Sequence, residues 1–174
     1  MKKIRSLIAL LLCGVLYFML AVGSGSTATT SSDANGTTSQ TKEMATYKLN
    51  EDIYITNSHG KYRIKFTGVS ETDDRNSYSD VKADRVVLIE YEYENMDMDQ
   101  DLFVSDLEFK LYDKDNNQLE TYPVDMKYAS SVSSGRKATA SIAYALNNDS
   151  NYIELEYYDN IYNGKADCKV ILEW

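Results

Sequence analysis

The residues able to do chemistry in this chain are few. His59 is the single histidine, and it falls in Asn57-Ser58-His59-Gly60, a segment that reads as a turn. A Ser-His-Asp or Cys-His site needs its imidazole held between a nucleophile and an orienting acid. A turn tip supplies no such shell, so a solvated turn residue is expected. Asp113-x-Asp115-x-Asn117 has the opening spacing of an EF-hand calcium loop. It lacks the Gly and the bidentate Glu that the loop requires, where Gln118 and Val124 stand, and it joins predicted strands, not helices. A β-turn rich in Asp and Asn is expected there. Asp97, Asp99 and Asp101 form a second carboxylate cluster, which reads as a solvated acidic loop.

Cys168, in ADCKVILEW, has no activating base beside it in sequence. It reads as a small buried hydrophobe on the last strand. The only other cysteine is Cys13, inside an N-terminal apolar run, so no disulfide forms within the folded part. One histidine and these two cysteines do not make a His/Cys zinc site. No catalytic residue, metal ligand or cofactor is expected.

Tyrosine is the compositional outlier, at 15 residues, all but Tyr17 beyond the apolar run. Its ring offers broad contact area at low entropic cost, and it also suits half-buried strand positions. Tyr62, Tyr91, Tyr93 and Tyr157 fall on faces that read as core. Tyr112 and Tyr158, on the opposite register, and Tyr78 and Tyr162, in loops, are the contact candidates. Tyr112, Tyr158 and Tyr162 are the binding residues expected.

The elements that must position these groups are strands. In Arg85 to Tyr112, Val87, Ile89, Tyr91 and Tyr93 alternate with Leu88, Glu90, Glu92 and Glu94, a period of two that buries one face. After an acidic loop, Leu107, Phe109 and Leu111 repeat the device. Before this pair, Asp52–Thr56 and Lys61–Val69 read as a hairpin with Tyr62, Ile64 and Phe66 inward. The polar connection 71–84 is long enough to cross between sheets. After it, Gln118–Tyr122 reads as a short strand ended by Pro123. Lys137–Leu146, Tyr152–Tyr158 and Asp167–Trp174 alternate in the same way. Seven or eight short strands with frequent turn signals and no helix predict an all-β antiparallel sandwich of immunoglobulin-like architecture over residues 47–174.

Residues 1–23 read as a signal peptide or membrane anchor, with Lys2, Lys3 and Arg5 ahead of an apolar run from Leu7 to Val22. As a helix those sixteen residues span about 24 Å, short of the ~30 Å hydrocarbon core. Cleavage, retention as an anchor and lipidation at Cys13 are the three fates open to it. Leu12 departs from the small residue that a lipobox places before its cysteine. Residues 24–46 form a Ser/Thr-rich tract, expected to be a disordered tether. The whole chain carries −9. Its first 23 residues hold three positive charges and no acid, so the remainder carries −12. That balance disfavours nucleic acid or an anionic membrane surface as the partner of the folded part, so no nucleic acid is expected and membrane contact only through the N-terminal segment.

Three short motifs resemble a known family. Val87-Leu88-Ile89-Glu90-Tyr91-Glu92-Tyr93-Glu94-Asn95 is similar to the Asn-terminated strand of bacterial telokin-like, immunoglobulin-like extracellular domains. Leu111 to Gln118 (LYDKDNNQ) is similar to the strand and turn that follow, with Gln118 where many members have Gly. Ser134-Gly135-Arg136 fits the glycine turn before a penultimate strand. The resemblance implies a secreted or anchored domain of Gram-positive bacteria with no assigned function and no catalytic residues to carry over. The functional expectation is an exported, non-catalytic, monomeric surface module that binds a protein or cell-envelope component. The alternative is a small secreted hydrolase using two carboxyls about 5 to 10 Å apart across a cleft.

Overall fold

The computed structural model describes residues 44–174. The segment expected to be a signal or anchor and most of the Ser/Thr-rich tract lie outside the described residues. Eight strands form two four-stranded sheets. In the first, β1 (Ala45–Lys48), β8 (Cys168–Glu173), β7 (Tyr152–Tyr157) and β5 (Phe109–Tyr112) are neighbours in that order. In the second, the order is β2 (Ile53–Asn57), β3 (Gly60–Thr72), β4 (Arg85–Asn95) and β6 (Arg136–Leu146). All pairings are antiparallel except β1 with β8, which is parallel.

Period-two alternation becomes the core directly. Tyr62, Ile64 and Phe66 on β3, with Val87, Ile89, Tyr91 and Tyr93 on β4, are buried. They meet Leu111, Ile153, Leu155, Val170 and Leu172 of the other sheet in one apolar cluster. Phe109 stands at its centre, its ring centroid 5.3 Å from Tyr91 and 5.5 Å from Phe66, both edge-on, the geometry aromatic quadrupoles favour. Cys168 is buried on β8, as its surroundings in sequence implied. Burial pushes its thiol up to about 12, with Asp167 adding to the shift.

Four expectations need correction. β3 and β4 are hydrogen-bonded neighbours, so the connection expected at 71–84, whose first two residues belong to β3, does not cross between sheets; a crossing is made after β4, on the way to β5. The connection instead lies over the outer face of β4 and β6, where Val81 and Ala83 pack on Val86, Ala143 and Ala145. Gln118–Tyr122 is no regular strand: it touches the sheets through isolated bridges, Tyr112 with Gln118 and Thr121 with Tyr144. Leu107 does not share the inward register of Phe109 and Leu111. It sits in a 3-10 turn, Asp106–Glu108, and is 71% exposed. Finally, β1 begins at Ala45, ahead of the expected boundary at 47 and unheralded by any alternation of apolar residues, because three of its four residues are exposed.

Candidate functional site

The site is assembled at one end of the sandwich from three connections. The first is the β2–β3 turn. Gly60, at φ +128°, closes it, and the turn is stitched to the acidic loop after β4: Asp99 N donates to His59 O at 2.8 Å, and Met96 N and Asp97 N both donate to Lys61 O. The second is that loop itself, held from below by Asn95. Asn95 is fully buried; its Nδ2 donates to Gln100 O and Val132 O, and its Oδ1 accepts from Met98 N at 2.9 Å. The loop ends in a capping box, where Ser105 N donates to Glu108 Oε2 at 2.8 Å and Leu107 N donates to Ser105 Oγ, a pairing that satisfies the free donors of a helical turn. The third is the turn after β7, where Asn160 Oδ1 accepts from Tyr162 N and Gly164 terminates the turn in the left-handed region.

Between them lies an open groove of about 640 Å³. Phe103, Leu107, Ile161 and Tyr162 line it, and they are 50%, 71%, 41% and 91% exposed. Its floor is polar and ordered. Tyr62 and Tyr157 place their hydroxyls 2.6 Å apart, and the Tyr62 hydroxyl donates to Asp159, whose carboxylate also accepts from Asn57 Nδ2 at 3.0 Å. Burial, with Tyr157 and Asp159 beside it, holds the Tyr62 hydroxyl far above its ordinary range, and burial does the same for Tyr157.

Of the expected contact residues, the groove takes in Tyr162 alone. Tyr112 is half-buried on β5 opposite Glu154, and burial together with Glu156 raises its hydroxyl. Tyr158 corrects its expectation: it is only 6% exposed. Its ring lies under Lys110 Nζ at 4.5 Å and its hydroxyl donates to Glu156, so both its face and its polar tip are occupied by the protein itself. Tyr78 is exposed and lines a second shallow groove, with Tyr128. Phe103, Leu107 and Ile161 were missed as site residues. The signal available for Phe103 was an aromatic residue set among Asp101, Asp106 and other loop residues, with no strand register to bury it.

The chemistry-bearing residues are used structurally. His59 Nδ1 lies 3.1 Å from Asp99 Oδ1 in an exposed pair, and among the described residues no hydroxyl or thiol is hydrogen-bonded to its ring. Asp113 is buried and organises its own turn, accepting from Asp115 N, Asn117 N and Asn148 Nδ2. Burial acts to raise its pKa, but these bonds outweigh it and hold the pKa below its usual value. Asp97 Oδ1 accepts from Lys61 N. Among the described residues, no three His, Cys, Asp or Glu side chains are placed to hold a metal ion. No helix among them is long and apolar enough to cross a membrane.

The two sheets and the groove at their end define a small all-β sandwich domain. Residues 47–168 match the domain of unknown function DUF4352, and the chain belongs to that family. No curated protein matches the sequence significantly. The fold is similar to that of MPT63, a secreted protein of Mycobacterium tuberculosis, at 12% identity and a TM-score of 0.58 over 76% of this chain and 99% of that one. It is also similar to the yjhA protein of Bacillus subtilis (18% identity, TM-score 0.51, 73% and 98% covered). A candidate lipoprotein of the same species, ycdA, matches at 17% identity and a TM-score of 0.53 over 71% of this chain and 39% of that one. At these identities the likeness concerns the fold.

Proposed function

We propose that this protein is an exported, non-catalytic binding module of the telokin-like, immunoglobulin-like kind. On this reading it acts as a monomer at the outer face of the cell membrane or beyond, on a protein or cell-envelope component. The observation that carries the reading is the convergence of Phe103, Leu107, Ile161 and Tyr162, all substantially exposed, in one groove on an ordered floor. Exposed apolar groups gathered in one place mark contact surfaces more often than singly scattered ones do. Export is supported by the basic-then-apolar N-terminus and by the fold's likeness to a secreted protein and a candidate lipoprotein. A hydrolase reading has less support. Of the three carboxylates that line the groove, Glu108 accepts from Ser105 and Asp159 from Tyr62 and Asn57, so Asp101 alone has no hydrogen bond among the described residues, short of the pair that such a reaction uses.

Capture from a cell-envelope extract, comparing the native protein with Phe103→Ala/Tyr162→Ala, tests the reading. Both side chains are at least half exposed, so the fold tolerates their truncation. Loss of captured material in the double variant supports the groove; unchanged capture overturns it. Fractionation and mass spectrometry of the mature N-terminus test the location, and a purely cytoplasmic protein retaining Met1 would contradict export.

A further inference from the structure

We propose that the groove takes a cationic amphipathic peptide segment, one in which Lys or Arg flanks apolar or aromatic side chains. This rests on the reading of the groove as a contact surface and adds the chemistry of its partner. Two independent features meet there. The first is the apolar wall of Phe103, Leu107, Ile161 and Tyr162. The second is charge. Asp101, Glu108 and Asp159 line the groove, and no Lys or Arg does.

Several acids on or beside the sheets are each paired with a base. Asp52, Glu92 and Glu94 share Arg63, Glu71 pairs with Arg85, and Glu154 with Lys169. Among the described residues, Asp101, Glu108 and Asp159 belong to no such pair. Uncompensated negative charge is therefore set beside the exposed apolar groups, on a chain whose residues 24–174 carry −12. A groove of one sign focuses the field and draws in the opposite charge. A second copy of the chain would bring the same three carboxylates to the contact, and an anionic polymer or lipid surface would be repelled by them. A basic segment satisfies both features at once, its apolar side chains against Phe103 and Tyr162 and its cations at the acidic rim.

The test uses fluorescence anisotropy on the full-length protein with three labelled peptides of equal length, alternating Lys-Phe, Lys-Gly and Glu-Phe. The Lys-Phe peptide is expected to bind, and to weaken about tenfold or more with Phe103→Ala/Tyr162→Ala. Asp101→Lys is expected to weaken it several-fold, mainly by slowing association, and added salt to do the same. Asp101 is exposed and takes part in no hydrogen bond among the described residues, so its reversal spares the fold. Lys-Gly and Glu-Phe are expected to bind at least about tenfold more weakly. If Glu-Phe binds as well as Lys-Phe and both depend on Phe103 and Tyr162, the charge inference falls while the groove reading stands. If Lys-Phe does not bind, the inference is overturned, and envelope capture decides the groove separately. If it binds without regard to Phe103 and Tyr162, the inference is overturned, and envelope capture again decides the groove.

Discussion

The hydroxyls of Tyr62 and Tyr157 lie 2.6 Å apart, and the two residues belong to different sheets. Since Tyr62 donates to Asp159, Tyr157 must donate to Tyr62, and a directed chain of hydrogen bonds crosses an otherwise apolar gap to end on a carboxylate. The direction makes the two positions unequal. Tyr157→Phe removes one bond and leaves Tyr62 satisfied, at a cost of about 1 kcal/mol. Tyr62→Phe removes two and strands the Tyr157 hydroxyl in the core, at a cost of about 2–3 kcal/mol. Urea unfolding of the two variants measures the difference, and equal losses would count against this direction of donation.

The same burial makes the domain sensitive to alkali. Burial holds the hydroxyls of Tyr62, Tyr91, Tyr144 and Tyr157 above their ordinary value, which is about 10 in an unfolded chain. Each folded value is raised, so the stability these groups contribute is complete below pH ~10 and is lost as pH rises beyond it. Tyrosinate absorbance from the buried rings should therefore develop together with loss of the strand signal in circular dichroism. Absorbance that is complete while the strands persist would contradict the burial.

Asn95 links fold to site. Its amide spans the end of β4, the acidic loop and Val132, meeting three backbone groups. Asn95→Asp keeps the size but replaces a donor facing Gln100 O and Val132 O with an oxygen. The expected loss is about 3 kcal/mol or more, because a buried charge then faces carbonyls. Thermal unfolding reads this directly, and faster hydrogen exchange at Met98 would locate the damage in the loop.

The alternation of Val87, Ile89, Tyr91 and Tyr93 made the core and the fold class legible in sequence, because a strand's two faces are written in its period. Asn95 was legible as the end of that strand, though its role in shaping the loop was not. The groove was largely illegible. Tyr162 was anticipated as a loop residue, but Leu107 reads as an inward strand position, and only the Ser105–Glu108 capping box turns it out to solvent. Tyr158 shows the reverse: its register is outward, yet Lys110 and Glu156 from neighbouring strand positions cover it. Local pattern reports the face of a sheet; it does not report what a neighbouring strand's side chain or a connection lays over that face. The assignment of residues 71–84 to a crossing failed for the same reason.

Tyr144 carries the one buried side-chain polar atom, among the described residues, that lacks a hydrogen-bond partner. Its ring packs in the core on β6, while its hydroxyl bears a desolvation cost with no return bond. Tyr144→Phe keeps the ring and removes that cost. The variant is expected to be as stable as the native protein or more stable, by up to about 1–2 kcal/mol. A measured destabilisation would mean that the hydroxyl has a partner in solution, such as an ordered water.

Gly60 couples the β2–β3 turn to the groove most tightly. Its φ of +128° is one that side-chain-bearing residues rarely adopt. A Cβ there would also lie 2.7 Å from Met98 Cα and 2.9 Å from Asp97 O. Both are backbone atoms of the acidic loop, so the clash cannot be relieved by rotating a side chain. Gly60→Ala must therefore shift either the turn or the loop, with backbone strain of about 1–3 kcal/mol before any lost contacts. The bonds from Asp99 N to His59 O and from Asp97 N to Lys61 O are the ones placed to break. The core is expected to survive, because Tyr62, Ile64 and Phe66 lie beyond the turn and stay paired with β4. A lowered melting temperature should accompany faster amide exchange at residues 97–99 and weaker binding of the Lys-Phe peptide, with exchange in β7 and β8 unchanged at equal fractional stability. Native melting and native peptide affinity in Gly60→Ala would show that the loop does not depend on this contact.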